Sequence, residues 1–497
     1  MMSLDTLLRK IYAGPGGPEI GAFFDYDGTV ITGFSASAFY GHRVRGREIG
    51  LSELAQTVWA GFRGVNTAAE FLSLLELSCR AWAGKTEVEL IELGETLFKE
   101  SIAGRLHLEV WELVKAHHDM GHTVVLASSA TRFQVQPMAD ALDAQHTLCT
   151  RLEVDDGVMT GRVLGAPLWG RGKSDAVTEL AAVENLDLAR SHAYSNGTED
   201  IPFLSAVGNA VAVSPEPGLR AEAGERGWAV LDCVPRTGRP SVKDIARTAG
   251  FYGAFATAFG AGIGLGLLNR SRSQVFDITG SVGSDVGLAL AGVTVDVIEG
   301  HEHLWGARPC VFVFNHQSKL DPVIVMKLLR QRWTGVAKAE ARKIPGFGQL
   351  FQIAGVAFVE RTGDVEKAKR ALAPAIAKIR DEGVSLALSP EGTRSPTPRL
   401  GPFKKGAFHI AMQAGVPMVP IVLRGAGDVM WRGAQTLRPG VVEVVVLPPV
   451  QTTDWRVESI ERHVSDVRDQ FVQTLAHWPG RPDLPALPSG RAQGETS

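Results

Sequence analysis

Cysteine is scarce in this chain: Cys79, Cys149, Cys233 and Cys310 are all that 497 residues contain, and they stand far apart. Without a C-x-x-C pair, neither a structural zinc site nor a disulfide framework is expected, and the usage fits a reducing cytosol. An excess of positive charge is missing as well. Lysine and arginine number 51 against 54 acidic residues, a net charge of −3, which excludes a broadly basic nucleic-acid binder. Met1 to Lys10 lacks a basic cluster followed by an apolar run, so no signal peptide is read there. Glycine and proline follow no collagen period, and no internal repeat is visible. What is present in ordinary amount, 45% hydrophobic and 21% charged residues, allows a large packed core.

Three textures follow one another along the chain. In the first, apolar runs of strand length end on polar residues: Ile20 to Phe24 before Asp25, Thr123 to Ala127 before Ser128, and His192 to Tyr194 near Asn196. Strand, polar residue, helix is the α/β pattern, and such sheets carry their sites past the strand carboxyl ends. Ser35 to Leu113 carries only helical periodicity and predicts a helical insertion above the sheet.

The second texture is apolar. Thr248 to Asn269 is 22 residues without a charge, six of them glycine. As a helix this stretch is about 33 Å long, enough for a bilayer core. Gly260/Gly264 and Gly262/Gly266 each have the spacing that lets helices approach closely in lipid. A membrane-seeking segment is favoured over a buried glycine-rich helix of a soluble protein. Val282 to Val297, interrupted by Asp285 and Asp296, predicts an interfacial stretch that could close a hairpin with it. In the third texture strands return at Val311 to Phe314, Val384 to Leu388 and Val441 to Leu447.

Chemistry concentrates at two places. Asp25-Tyr26-Asp27-Gly28-Thr29 puts two carboxylates, two residues apart, just past an apolar strand. Such a pair suits phosphoryl transfer: the first attacks phosphorus, and the second protonates the leaving oxygen and later activates water. A carboxylate attacking an anionic phosphate needs charge neutralisation, so Mg²⁺ is expected. These residues resemble the haloacid dehalogenase (HAD) phosphatase superfamily, in its phosphoserine-phosphatase-like branch. The resemblance implies that Asp25 and Asp27 are catalytic and that Ser128 and Lys173 bind phosphate. It also implies that Asp25, Asp27, Asn196 and Asp200 hold the metal, and that the insertion is a helical cap. Asn196 stands where the family usually has aspartate, so one negative charge is missing. Thr32, Gly33 and Phe34 stand where phosphoserine phosphatases carry a substrate-binding glutamate.

The second place is Asn315-His316-Gln317-Ser318-Lys319-Leu320-Asp321, after the strand Val311 to Phe314. An aspartate five residues on can hold the imidazole and stabilise its protonated form, leaving His316 a general base for an alcohol. Arg361 follows another apolar strand, Ser389 to Ser395 reads SPEGTRS, Lys404 and Lys405 follow, and Val416 to Ile421 closes the series. This ordered set resembles the 1-acylglycerol-3-phosphate acyltransferases. The resemblance implies that His316 and Asp321 are catalytic, and that Arg361, Glu391, Gly392, Thr393, Arg394 and Lys404 bind the acceptor's phosphate end. Ser389 replaces the commoner phenylalanine.

The expected architecture is α/β throughout. A HAD Rossmann-like domain (15–235, cap about 33–115) precedes a membrane-associating helical linker (236–300), a glycerolipid acyltransferase domain (301–480) and a disordered tail (481–497). The joined arrangement resembles the actinobacterial fusions of phospholipid biosynthesis. It implies lysophosphatidic acid as acceptor, acyl-CoA or acyl carrier protein as donor, membrane lipid as partner, and a place on the cytoplasmic side of the cell membrane. The alternative is an acyltransferase for another lysophospholipid carrying a non-catalytic phosphate-binding HAD module.

Overall fold

The computed structural model describes residues 2–49, 67–234, 240–343, 356–359, 365–431 and 433–479, together with 348, 349 and 352. Arg361, the start of the expected linker (236–239), part of the expected cap (50–66) and the expected tail lie outside the described residues. The chain forms two compact units, Met1–Gly238 and Arg239–Arg481.

The first unit is built on a seven-stranded sheet, in the order β4-β3-β2-β1-β5-β6-β7. Its strands are β1 (Gly21–Phe24), β2 (Thr123–Thr131), β3 (His146–Asp155), β4 (Val158–Leu164), β5 (His192–Ser195), β6 (Asn209–Val213) and β7 (Ala229–Leu231). All pairings are parallel except β3 with β4. β1 is buried along its whole length, which is why it reads as an unbroken apolar run. The strand order turns back at β1, so the crevice past its carboxyl end is open for a site. Between 33 and 106 the described residues contain helices (Ala36–Arg45, Ala68–Arg80, Glu87–Leu97) and no strand, as a helical cap requires. The helix Leu108–Asp119 packs instead on β2 and on the helix Leu4–Ala13. The expected cap boundary at 115 therefore falls inside a helix of the sheet layer. Leu7, Leu8 and Ile11 of the first helix share the same core, so the packed unit also includes residues before the expected start at 15.

The second unit has a seven-stranded sheet in the order β11-β10-β12-β9-β13-β14-β8. These are β8 (Val293–Glu299), β9 (Val311–Phe314), β10 (Trp333–Lys338), β11 (Ala357–Val359), β12 (Ser385–Leu388), β13 (Met418–Arg424) and β14 (Gly440–Val446). Among these strands, as described, antiparallel pairing occurs only between β13 and β14.

The apolar segment forms the helix Val242–Leu268, and the chain returns through the helix Arg272–Ala291. Val282 to Val297 is thus not one interfacial stretch: its first part completes the returning helix, and Val293 onward is β8, the edge strand of the second sheet. Phe251, Phe255, Phe276 and Leu288 of the two helices are buried in a common core with β9 and β13. Glycine brings the helices together, but only one of the two expected pairs acts. Side-chain atoms added at Gly262 or Gly266 would meet Val275, at 3.0 and 2.4 Å, whereas Gly260 and Gly264 face open space. An 18-residue stretch of the longer helix has a mean hydropathy of 1.5, and the helix is long and apolar enough to cross a membrane. Its end exposes Leu265, Leu267 and Leu268, and the returning helix exposes Val282, Val286 and Leu290.

Candidate functional sites

In the first unit, β1 ends at Phe24, and its ladder runs one step further as the Asp25 amide donates to the Tyr194 carbonyl of β5 (2.9 Å). Asp25 is buried. Lys173, in the first turn of the helix Arg171–Glu184, reaches in and donates to Asp25 Oδ1 (2.7 Å) and Asp200 Oδ2 (2.5 Å). The Thr29 hydroxyl is shared between Asp25 Oδ2 (2.9 Å) and Asn196 Oδ1 (3.0 Å), and Ser195 donates to Asp200 Oδ2 (2.6 Å). Gly28 turns the loop at φ +83°, and a Cβ there would lie 2.3 Å from the Asn196 amide. Only glycine lets the two loops meet so closely.

The sequence-predicted residues Asp25, Lys173, Asn196 and Asp200 are therefore one cluster. Asp27 stands apart: its oxygens accept from the Ser35 amide (2.7 Å) and hydroxyl (3.1 Å) under the cap. Ser128 is buried at the carboxyl end of β2, where its hydroxyl accepts from the Ala130 amide (3.1 Å). Thr29, Ser35 and Ser195 were not singled out in the sequence. Thr29 had a signal there as the last residue of the D-x-D-G-T run, and Ser195 as the first of the stretch Ser195 to Asp200.

The electrostatics of this cluster are unbalanced. One ammonium faces two buried carboxylates, and the second oxygen of Asp200 is buried with no partner. Burial raises the Asp25 carboxyl; Lys173 opposes that rise and Asp200 adds to it. Burial alone would lower the Lys173 ammonium, but Asp200 and Asp25 outweigh it and raise it. Burial also pushes Asp27 up to about 7 against the Ser35 hydrogen bonds, and Glu199 to about 7. A carboxyl near 7 can give and take protons at neutral pH. The carboxylate oxygens of Asp25 and Asp200 and the amide oxygen of Asn196, clustered about Lys173 and Thr29 with one Asp200 oxygen unpartnered, are the hard donors that Mg²⁺ takes, so the residues fit that ion.

In the second unit, β9 is the central strand, flanked by β12 and β13. Asn315 pins its end by accepting from the Leu423 amide (2.7 Å) and donating to the Leu423 carbonyl (2.9 Å). His316 follows, its ring 22% exposed, with Nδ1 2.8 Å from Asp321 Oδ2. Asp321 opens the helix Asp321–Leu329 and is fully buried. The same Oδ2 also accepts from the Gln317 and Ser318 amides (2.7 and 2.8 Å). Three donors on one oxygen fix the carboxylate, which in turn requires the His316 proton on Nδ1 and leaves Nε2 with a free lone pair.

Glu391 does something other than expected. It is buried, and its oxygens accept from the His316 amide (2.7 Å), the Ser395 hydroxyl (2.5 Å) and the Gly401 amide (2.9 Å). An anion so placed repels phosphate; it braces the histidine loop against the loop 391–401. Burial raises its carboxyl, and these hydrogen bonds pull the other way. Gly392, Thr393 and Lys404 are exposed and Arg394 is half-buried. Gly392 turns at φ +68°, where a Cβ would lie 3.2 Å from the Lys404 side chain. The histidine and the cations of this loop thus share one end of the sheet, while Arg361 lies outside the described residues.

Comparison with known proteins matches the two units to different families: haloacid dehalogenase-like hydrolases over residues 22–205 and acyltransferases over residues 297–424. A 1-acyl-sn-glycerol-3-phosphate acyltransferase from Limnanthes alba is 33% identical over 204 residues, 41% of this chain and 71% of that protein. The inhibition of morphological differentiation protein of Streptomyces azureus is 36% identical, across 43% of this chain and 79% of its own length. Phosphoserine phosphatase SerB1 of Mycobacterium tuberculosis is 34% identical, across 48% and 80%. Phosphatases of the first family are generally Mg²⁺-dependent. With the carboxylate cluster at one sheet and the paired histidine at the other, the chain belongs to the haloacid dehalogenase-like hydrolases through its first unit and to the acyltransferases through its second.

Proposed function

We propose that the second unit moves a fatty acyl group from acyl-CoA, or from an acyl carrier protein, to the free hydroxyl of 1-acyl-glycerol 3-phosphate, giving phosphatidic acid. The observation that carries this reading is the His316–Asp321 pair, 2.8 Å apart, with the ring still reachable from solvent. Nε2 takes the proton as the acceptor hydroxyl attacks the thioester carbonyl, and Asp321 stabilises the imidazolium. That proton then passes to the departing thiolate. Arg394 and Lys404, with Arg361, Gly392 and Thr393, hold the acceptor's phosphate. The helix Val242–Leu268 and its returning partner seat the unit at the cytoplasmic face of the membrane, where both long-chain substrates reside.

The first unit acts on a phosphomonoester. Asp25 attacks phosphorus while Asp27 protonates the leaving oxygen; Asp27 then takes a proton from the water that releases phosphate from Asp25. Lys173 and Ser128 bind the phosphoryl oxygens. Mg²⁺, which Asp25, Asn196 and Asp200 would hold, would neutralise the charge on the phosphoryl group.

The test is one reaction vessel containing acyl-CoA, a panel of lysophospholipids and phosphomonoesters, and Mg²⁺. Acylation of the lysophosphatidic acid, with phosphate release from at least one ester, is the expected result. Acylation of every lysophospholipid except this one would overturn the acceptor assignment. The neutral Asn196 amide favours a second reading, a phosphate-binding module without turnover. Under that reading Asn196→Asp creates hydrolysis that the parent lacks; substantial parent activity unchanged by the substitution rejects it.

A further inference from the structure

At the other end of β5 from Asn196 lies a second cluster that no step above uses. His192 opens the strand, His122 precedes β2, and His117 sits on the helix Leu108–Asp119. One ring nitrogen of each lies within 4.8 Å of the others. His117 and His122 are buried, and His192 is half-buried. Strand rise alone puts about 10 Å or more between His192 and the carboxylate cluster past the strand's other end.

The hydrogen bonds fix where the protons are. His122 Nε2 lies 2.9 Å from the Pro15 carbonyl, which can only accept, so Nε2 carries the proton. His122 Nδ1 is then the acceptor, and His117 Nδ1, 2.7 Å away, is the donor. His117 Nε2 in turn accepts from the Tyr194 hydroxyl at 2.8 Å. Burial holds His117 well below the ordinary histidine range, lowers His122 and pushes His192 down to about 4. Three neutral imidazoles therefore converge, two of them already aimed at each other through Nδ1.

We propose that His117, His122 and His192 form a binding site for a divalent transition cation of the zinc class. Neutral imidazole is the ligand such ions choose over Mg²⁺, and second partners on ligating rings are what such sites carry. The Pro15 carbonyl already supplies one for His122. Binding needs no net proton release: the His117 proton moves from Nδ1 to Nε2, where the Tyr194 oxygen accepts it. The two Nδ1 atoms, 2.7 Å apart, must open to the spacing of about 3.3 Å set by tetrahedral metal–nitrogen bonds of about 2.0 Å. Water takes the fourth position on the half-exposed His192 side. Glu19, close enough to His122 to raise its basicity, offsets part of the added charge. The bound ion would tie the helix Leu108–Asp119 to the amino-terminal ends of β2 and β5.

The test uses the full chain, stripped with a chelator and then saturated with Mg²⁺ so that the oxygen site is filled. Titration with Co²⁺ should give tetrahedral ligand-field bands at one equivalent, and Zn²⁺ should abolish them. His192→Gln should weaken Co²⁺ binding at least tenfold, while Asp25→Asn and the double variant His301→Gln, His303→Gln leave it unchanged. Absence of the bands, or bands that survive His192→Gln and vanish in either control, overturns the proposal. Should His192→Gln fail to fold, the unmodified chain decides: one equivalent of Cu²⁺ must show superhyperfine splitting from imidazole nitrogens in its electron paramagnetic resonance spectrum. A purely oxygen-ligated spectrum overturns the site.

Discussion

In the first sheet the residue past the central strand is Asp25, a buried anion gripped by Lys173; in the second, one residue further on after Asn315, it is His316, a ring one-fifth exposed and held by a buried Asp321. Both stand at the same end of a strand buried on both faces. Each site even has one carboxylate oxygen, on Asp200 and on Asp321, buried without a partner. The difference is charge. Two carboxylates against one ammonium leave the first site short of a cation, whereas the second meets Asp321 with two backbone amides and an imidazole, and Glu391 with two backbone amides and a hydroxyl. Similar scaffolds thus hold one cluster short of positive charge and one whose buried carboxylates are met by hydrogen-bond donors.

The sharpest way to break this comparison is to cross the two activities. Asp25→Asn should reduce phosphate release to background and leave acyl transfer untouched. His316→Ala should cut acyl transfer by about 10²–10⁴-fold, the ordinary worth of a general base, and spare phosphate release. A chelator should follow the first pattern. Loss of acyl transfer on metal removal would sink the contrast.

A smaller effect is expected where the second site is braced. Glu391→Gln turns an amide N–H₂ toward a backbone donor and costs about 1–3 kcal/mol of local order. Acyl-transfer kcat/KM should fall by about fivefold to a hundredfold, with phosphate release constant in the same preparation. An unchanged rate would mean that His316 needs no such brace.

A pH series separates the units by stability. His192 is held near 4 in the fold, below its ordinary 6.5, so the unfolded chain binds the proton first. Its contribution is complete above about 6.5 and is lost as pH falls toward 4. His117 and His122 shift in the same direction. Melting followed by circular dichroism should show the first unit losing several degrees over that window, and His192→Gln should flatten the loss. A melting temperature independent of pH between 7 and 4 would contradict the buried neutral rings.

The smallest expected effect lies in the helix pair. Gly266→Leu inserts a side chain where Val275 leaves 2.4 Å and should destabilise the second unit by about 1–3 kcal/mol. Gly260→Leu, facing open space, should leave the melting curve in place. Equal effects would mean that the helices pack by another face.

Much of this was legible along the chain because it is local. A buried strand is an apolar run, and a reacting group past its end needs only a fixed spacing, so Asp25, Asp27, His316 and Asp321 could be picked out by position. The strand Val311–Phe314 has the same ends in both readings. The hairpin of β3 and β4 had no comparable signal, since Arg151, Glu153 and Asp155 interrupt its apolar residues. Nor did Val293–Glu299, where alternation with Asp296 mimicked an interfacial stretch until pairing with β14 made it an edge strand.

The sequence by itself determined which groups can react and at which strand ends they sit, because those facts depend on a few neighbouring residues. Tertiary structure alone decided that Lys173 lies between Asp25 and Asp200, that Glu391 supports the histidine loop, that Gly262 and Gly266 form the helix contact, and that three distant histidines meet. Each of these depends on burial and on contacts across long stretches of chain, and no local period encodes either.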